Sequence, residues 1–194
     1  MNSAKLTKQH LVYCFDVLKE YLNKKEFLAY PKELPDFSAP LFVTWKITKS
    51  DDLRGCIGTF ASELLSENLP KYTVISAVND SRFPPVEKYE LEGLTVYVSV
   101  LHNFNKGKKW NDWVIGRDGI QISFEVNGNE YDGTFLPEVA EEQEWNQEET
   151  LRYLIRKSGY RGDYKKVLDK IDLTTYESMK DAMSYQEYVK FTDK

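Results

Sequence analysis

Apolar side chains recur at Leu11, Cys14, Phe15, Leu18, Tyr21 and Leu22, the spacing that lays one stripe along a helix. Cys14 falls in that stripe and reads as a packed core residue, and His10 borders it. Pro31, Pro35 and Pro40 then mark a loop. From Leu41 the period changes to two: Leu41, Val43, Trp45 and Ile47 alternate with Phe42, Thr44, Lys46 and Thr48, a strand with one buried face. Lys49-Ser50-Asp51-Asp52 is turn chemistry, so the strand that follows from Leu53 pairs back as a hairpin. A helix comes next, with Asn68 as its N-cap, Pro70 in its first turn and Tyr72, Val74, Ile75, Ala77 and Val78 as its apolar surface. Pro84 and Pro85 end it before Phe83, leaving Asn79-Asp80-Ser81-Arg82 at a helix end, where an arginine can serve the dipole.

The second half repeats these signals. Leu94, Val96, Val98 and Val100 alternate with polar neighbours as a strand. Ile120, Ile122, Phe124 and Val126 do the same and run into Asn127-Gly128, a strong hairpin turn, with Tyr131, Gly133 and Phe135 on the returning strand. Glu141, Glu142 and Glu144 form a solvated acidic run. Asn146 and Glu149 have the spacing of a capping box for a helix that buries Leu151, Leu154 and Ile155, carries Arg156 and Lys157 in its last turn and stops at Gly159. Ile171 to Glu177 reads as a strand, and Ser184 with Glu187 caps a final helix. The composition shift after Phe104 and the Arg161-Gly162-Asp163 turn suggest two crossings to a second lobe.

The 194 residues, 41% hydrophobic and 29% charged, suffice for one globular domain or two small lobes. A net charge of −5 with no basic stripe argues against nucleic acid, since phosphate-backbone binding runs on clustered lysine and arginine. No run reaches membrane-span length, and the first residues lack a signal peptide's apolar core. Two cysteines make no disulfide framework, and with two histidines they show no metal-ligand spacing. The expectation is a soluble, intracellular chain, cytoplasmic and/or nuclear, with reduced thiols, no membrane association, no metal and no cofactor.

Candidate chemistry concentrates in Leu53-Arg54-Gly55-Cys56-Ile57-Gly58-Thr59-Phe60. Strands avoid glycine, so Gly55 and Gly58 suggest that something approaches the backbone closely. Strict alternation puts Arg54 and Cys56 on one face, about 6–7 Å apart along the strand, and turns Leu53 and Ile57 to the core. A cation beside a thiol would favour the thiolate.

The same octapeptide resembles the signature of the AMMECR family, named from a human chromosomal region linked to Alport syndrome, midface hypoplasia and elliptocytosis. Leu41-Phe42-Val43-Thr44-Trp45-Lys46, Asp80-Ser81-Arg82-Phe83-Pro84-Pro85, Leu136-Pro137-Glu138-Val139-Ala140 and Tyr185-x-x-Tyr188 are similar to its eukaryotic branch. Arg156-Lys157-Ser158-Gly159-Tyr160 departs from it with a serine where glycine is usual. The resemblance implies an α+β fold of two lobes. A larger lobe, about 1–104 and 163–194, would carry both termini, an antiparallel sheet and flanking helices. A smaller inserted lobe, about 105–162, would have its own antiparallel sheet. It implies a cleft between them lined by Leu53, Gly55, Ile57, Gly58, Thr59, Asp80, Arg82, Phe83, Glu138 and Arg156, and pathway partners resembling MEMO-like or radical SAM proteins.

Two functional readings follow. In one, the cleft binds a peptide, protein or metabolite, with Arg54 and Arg82 capturing a carboxylate or phosphate and Trp110 or Trp113 at the rim. In the other, Cys56 is the nucleophile or redox thiol of an enzyme in a protein- or metabolite-modification pathway. Arg54 would tune it, and Asp80, Arg82 and Glu138 would act as acid, base or anchor. His10 and His102 are the only imidazoles to serve as its base. A purely structural reading, in which the glycines let layers pack closely, leaves Arg54 unexplained.

Overall fold

The amphipathic stripe forms helix α1, Lys8–Lys24, in a computed structural model that describes Lys5–Asp193. Leu11, Phe15 and Leu18 are fully buried in it, and so is Cys14. Strand β1 spans Ser38–Ile47 and β2 Leu53–Leu64, paired antiparallel. Helix α2 is Leu65–Val78, β3 is Leu94–Lys108, β4 is Gly119–Val126 and β5 is Asn129–Phe135. Helices α3, Pro137–Glu142, and α4, Gln147–Lys157, precede β6, Asp172–Ser184, and α5, Tyr185–Thr192. The hydrogen-bonded strand order is β2-β1-β3-β6-β4-β5, and the fold is α+β.

The chain divides into two compact units. The first runs to Val100 and resumes at Met179; the second is Leu101–Ser178. β3 and β6 each begin in one unit and end in the other. The return to the first unit therefore lies within β6 rather than at Arg161-Gly162-Asp163. The reason is burial: Val167, Ile171 and Leu173 belong to the second unit's core with Trp113, Ile120, Ile122, Phe124, Leu151, Leu154 and Ile155. The first core gathers the α1 stripe with Leu41, Val43 and Trp45 of β1, Leu65 and Leu69 of α2, and Val96 and Val98 of β3. Trp45 satisfies its indole by donating to the Thr73 carbonyl at 3.1 Å, which lets a polar ring sit at 0% exposure.

Local chemistry explains most boundaries. Asn127 (φ 52°) and Gly128 (φ 77°) both take the left-handed conformation that a two-residue hairpin turn needs. Asn146 with Glu149, and Ser184 with Glu187, close reciprocal capping boxes. Three expectations change. Pro40 lies inside β1, at an irregularity between Ala39 and Leu41 where its missing amide costs no ladder bond. Helix α2 begins at Leu65, not Asn68, because the amide of Leu65 donates to the Phe37 carbonyl and that of Ser66 to Asp36. Trp113 is buried in the second core instead of lining a rim, and Trp110 is half-buried against the same core.

Candidate functional site

β2 does not alternate strictly. Trp45 pairs with Gly55 but Lys46 pairs with Leu53, so Arg54 is the extra residue of a bulge. The bulge takes Arg54 out of the pattern that grouped it with Cys56. Its side chain is 9% exposed, and all three of its nitrogens are engaged. Nε and Nη2 donate to the two Glu90 oxygens at 2.8 and 3.0 Å, and Nη1 donates to the Pro84 carbonyl at 2.8 Å. Burial raises the Glu90 carboxyl; the Arg54 fork and the Glu87 amide outweigh it and hold Glu90 below its ordinary value. Arg54 therefore ties β2 to the Pro84–Glu90 loop, with each of its three nitrogens already donating within the chain. Leu53 and Ile57 are only half-buried.

Both glycines of the signature are filled by the chain itself. A Cβ on Gly55 would fall on the backbone carbonyl of Ser76 in α2, and one on Gly58 would strike the Leu41 carbonyl and the Phe42 ring. The close approaches they permit lie within the first unit, α2 against β2 at Gly55 and the neighbouring strand β1 at Gly58.

Arg82 is the cation at Cys56. The Asp80 carboxylate, 4% exposed, accepts the Cys56 amide at 2.9 Å. It also accepts the Arg82 amide at 3.1 Å, Arg82 Nε at 3.0 Å and Arg82 Nη2 at 2.7 Å. Arg82 Nη2 reaches on to the Cys56 carbonyl at 3.2 Å. The Arg82 bonds, with the Cys56 and Arg82 amides outweighing burial, hold the Asp80 carboxyl well below the usual carboxylate range. Asp80 and Arg82 thus clamp both backbone groups of Cys56 instead of serving the end of α2. The Cys56 thiol is half-buried and accepts the Thr44 hydroxyl at 3.1 Å. Phe83 lies under the Arg82 guanidinium, 5.5 Å from its ring centroid, and Thr59 uses its hydroxyl locally on the Ala61 amide.

Glu138, in the first turn of α3, and Arg156, in the last turn of α4, belong to the second unit. His102 is in that unit as well, on β3. His10 is fully buried: its Nδ1 accepts the Thr7 amide at 3.0 Å and its Nε2 donates to the Pro35 carbonyl at 3.0 Å. Among the described residues no cluster of three or more His, Cys, Asp or Glu could hold a metal ion, and no helix is long and apolar enough to cross a membrane. What the sequence did not reveal was the Glu90 partner of Arg54. Its one signal was a glutamate followed by no basic residue within the same turn.

The AMMECR1 family model matches residues 11–180. An uncharacterized protein of Arabidopsis thaliana is 38% identical over 191 residues, covering 95% of this chain and 88% of the relative. One of Schizosaccharomyces pombe is 37% identical over 185 residues, covering 94% and 95%. The crystal structure of an uncharacterized protein from Pyrococcus horikoshii superposes with a TM-score of 0.75 at 28% identity, covering 91% of each chain.

Proposed function

The chain belongs to the AMMECR1 family, and on that premise we propose that its first unit is a recognition surface. An extended peptide or protein segment lies along the edge of β2 and places a carboxylate on Arg82. One observation carries this reading. The Arg82 guanidinium is fixed by Asp80 and the Cys56 carbonyl, yet its side chain is 54% exposed. A cation already held in place loses little freedom when an anion arrives, and ordering cost is what usually erodes affinity. With Nε and Nη2 committed to Asp80 and the Cys56 carbonyl, Nη1 is the nitrogen left to donate to a carboxylate. β2 is the outermost strand. Gly58 shares the orientation of Cys56 and turns its amide and carbonyl away from β1, a template for an added strand.

The test is selection of binders from a random peptide library, with affinities then measured on wild type, Arg82→Ala and Cys56→Ser. Arg82→Ala should weaken binding about ten-fold or more, as loss of a charge-assisted hydrogen bond does. Neutralising the peptide's carboxylate should cost wild type the same and cost Arg82→Ala nothing. Cys56→Ser should bind within about two-fold of wild type. Peptides that ignore Arg82 would overturn the proposal.

A second reading has its own observation: Cys56 is half-buried, not fully enclosed like Cys14, and its sulfur accepts a hydrogen bond from Thr44. Cys56 would then be a nucleophile or redox thiol. It has no base among its bonded neighbours, because His10 is committed to the start of α1 and Asp80 to Arg82. Alkylation by iodoacetamide across pH, read by peptide mass spectrometry, decides it. Reaction of Cys56 well below the free-thiol value near 8.5 favours chemistry over recognition.

A further inference from the structure

The chain has six arginines, and they divide cleanly. Arg54, Arg82 and Arg117 each bond a carboxylate, those of Glu90, Asp80 and Asp118. The other three, Arg152, Arg156 and Arg161, line one hollow of about 180 Å³ in the second unit, together with Ile155, Tyr160 and Tyr164. Among the described residues none of these three side chains forms an ion pair.

We propose that this hollow binds the phosphoryl group of a phosphate monoester. Arg152 and Arg156 are four residues apart on α4, so they share a face and repel. Arg156 gains something from the helix C-terminus; Arg152, in mid-helix, does not. An acidic chain that lines the hollow itself with a third arginine beside this pair, and with no carboxylate, concentrates positive charge there. Arg161 is anchored rather than loose: its Nη1 donates to the Arg156 and Tyr160 carbonyls, leaving Nε and Nη2 for a ligand. The Arg152 guanidinium lies over the Tyr153 ring at 4.8 Å. The Tyr160 hydroxyl has no hydrogen-bond partner among the described residues and is wedged beside Gly162, where a Cβ would strike its ring. The neighbouring carboxylates are occupied, Glu148 by the Tyr164 hydroxyl at 2.8 Å and Asp163 by the Lys165 amide at 3.1 Å.

The donor set decides the ligand class. Three guanidinium forks and a phenol exceed what one carboxylate can accept. A phosphate monoester brings three acceptor oxygens and close to two negative charges at neutral pH. Arg82 belongs to the other unit and lines no part of this hollow.

The experiment is calorimetric titration of the full chain with inorganic phosphate and with phenyl phosphate, at ionic strength fixed by sodium chloride. Saturable binding is expected. Each of Arg152→Gln, Arg156→Gln and Arg161→Gln should weaken it about ten-fold, and Arg156→Lys should fall between, keeping the charge but losing the fork. All three side chains are exposed, so the single variants should retain the wild-type near-ultraviolet circular dichroism. A phosphoserine peptide and its unphosphorylated twin identify the source. Binding of the phosphopeptide alone points to a modified protein, and binding of phenyl phosphate without the peptide points to a small molecule. No binding of any phosphate to wild type, or equal binding by folded variants, overturns the proposal.

Discussion

At Gly55 the missing Cβ has a single reason. A methyl there would occupy the position of the Ser76 carbonyl oxygen, and backbone cannot step aside as a side chain can. Gly55→Ala should therefore lower stability by about 2–3 kcal/mol, read as a fall in the urea midpoint with little change in slope. The sequence marked this glycine correctly as a point of close approach and left open what approaches. Pattern reasoning sees that a strand tolerates a glycine; it does not see that the atom opposite comes from the chain's own helix. Arg54 was misplaced for a related reason. Alternation assumes a regular ladder, and the bulge between Trp45 and Lys46 leaves no mark in residue type. Its partner Glu90 lies 36 positions away. Asp80 and Arg82 were named as site residues from their motif, but their grip on the Cys56 backbone comes from tertiary structure.

Elements whose signals lie within one turn were legible. Asn146 accepts the Glu149 amide at 2.9 Å, and Glu149 reaches back to the Asn146 amide at 3.0 Å, a reciprocal cap readable from two letters three apart. Asn146→Ala should cost about 1 kcal/mol and lower the thermal midpoint; Asn146→Asp or Asn146→Ser should restore most of the loss. Helix α2 was legible in its end but not its start. Its stop is written in Pro84-Pro85, whereas its first amides are satisfied by Asp36 and Phe37 across a loop. With those amides satisfied, Leu65 starts the helix without a capping side chain. Pro70 then falls inside the helix rather than in its first turn.

Across the molecule, acid should be the weak side. The carboxyls of Asp80, Asp118, Glu90 and Glu187 are all held below their ordinary values in the folded chain. For Asp118 the Arg117 guanidinium is the main cause. A depressed folded value means stability that is present above the unfolded carboxyl range, about pH 4, and lost as pH falls toward the folded values. The urea midpoint should thus be nearly flat from about pH 5 to 7 and fall below about pH 4. Asp80→Asn should be less stable at neutral pH and show a shallower acid slope. A wild-type midpoint unchanged down to pH 3 would contradict this. At this scale the resemblance implied two lobes, with the Arg161-Gly162-Asp163 turn as a boundary, while Val167, Ile171 and Leu173, which carry the second unit on into β6, declare themselves only by what they pack against. The first core also carries a built-in clock. Cys14 is fully buried, and burial pushes its thiol up to about 12. A maleimide at neutral pH should mark Cys56 directly and Cys14 only when α1 lifts away. The lag between the two labels would time how often the first core opens, with no residue of the protein changed.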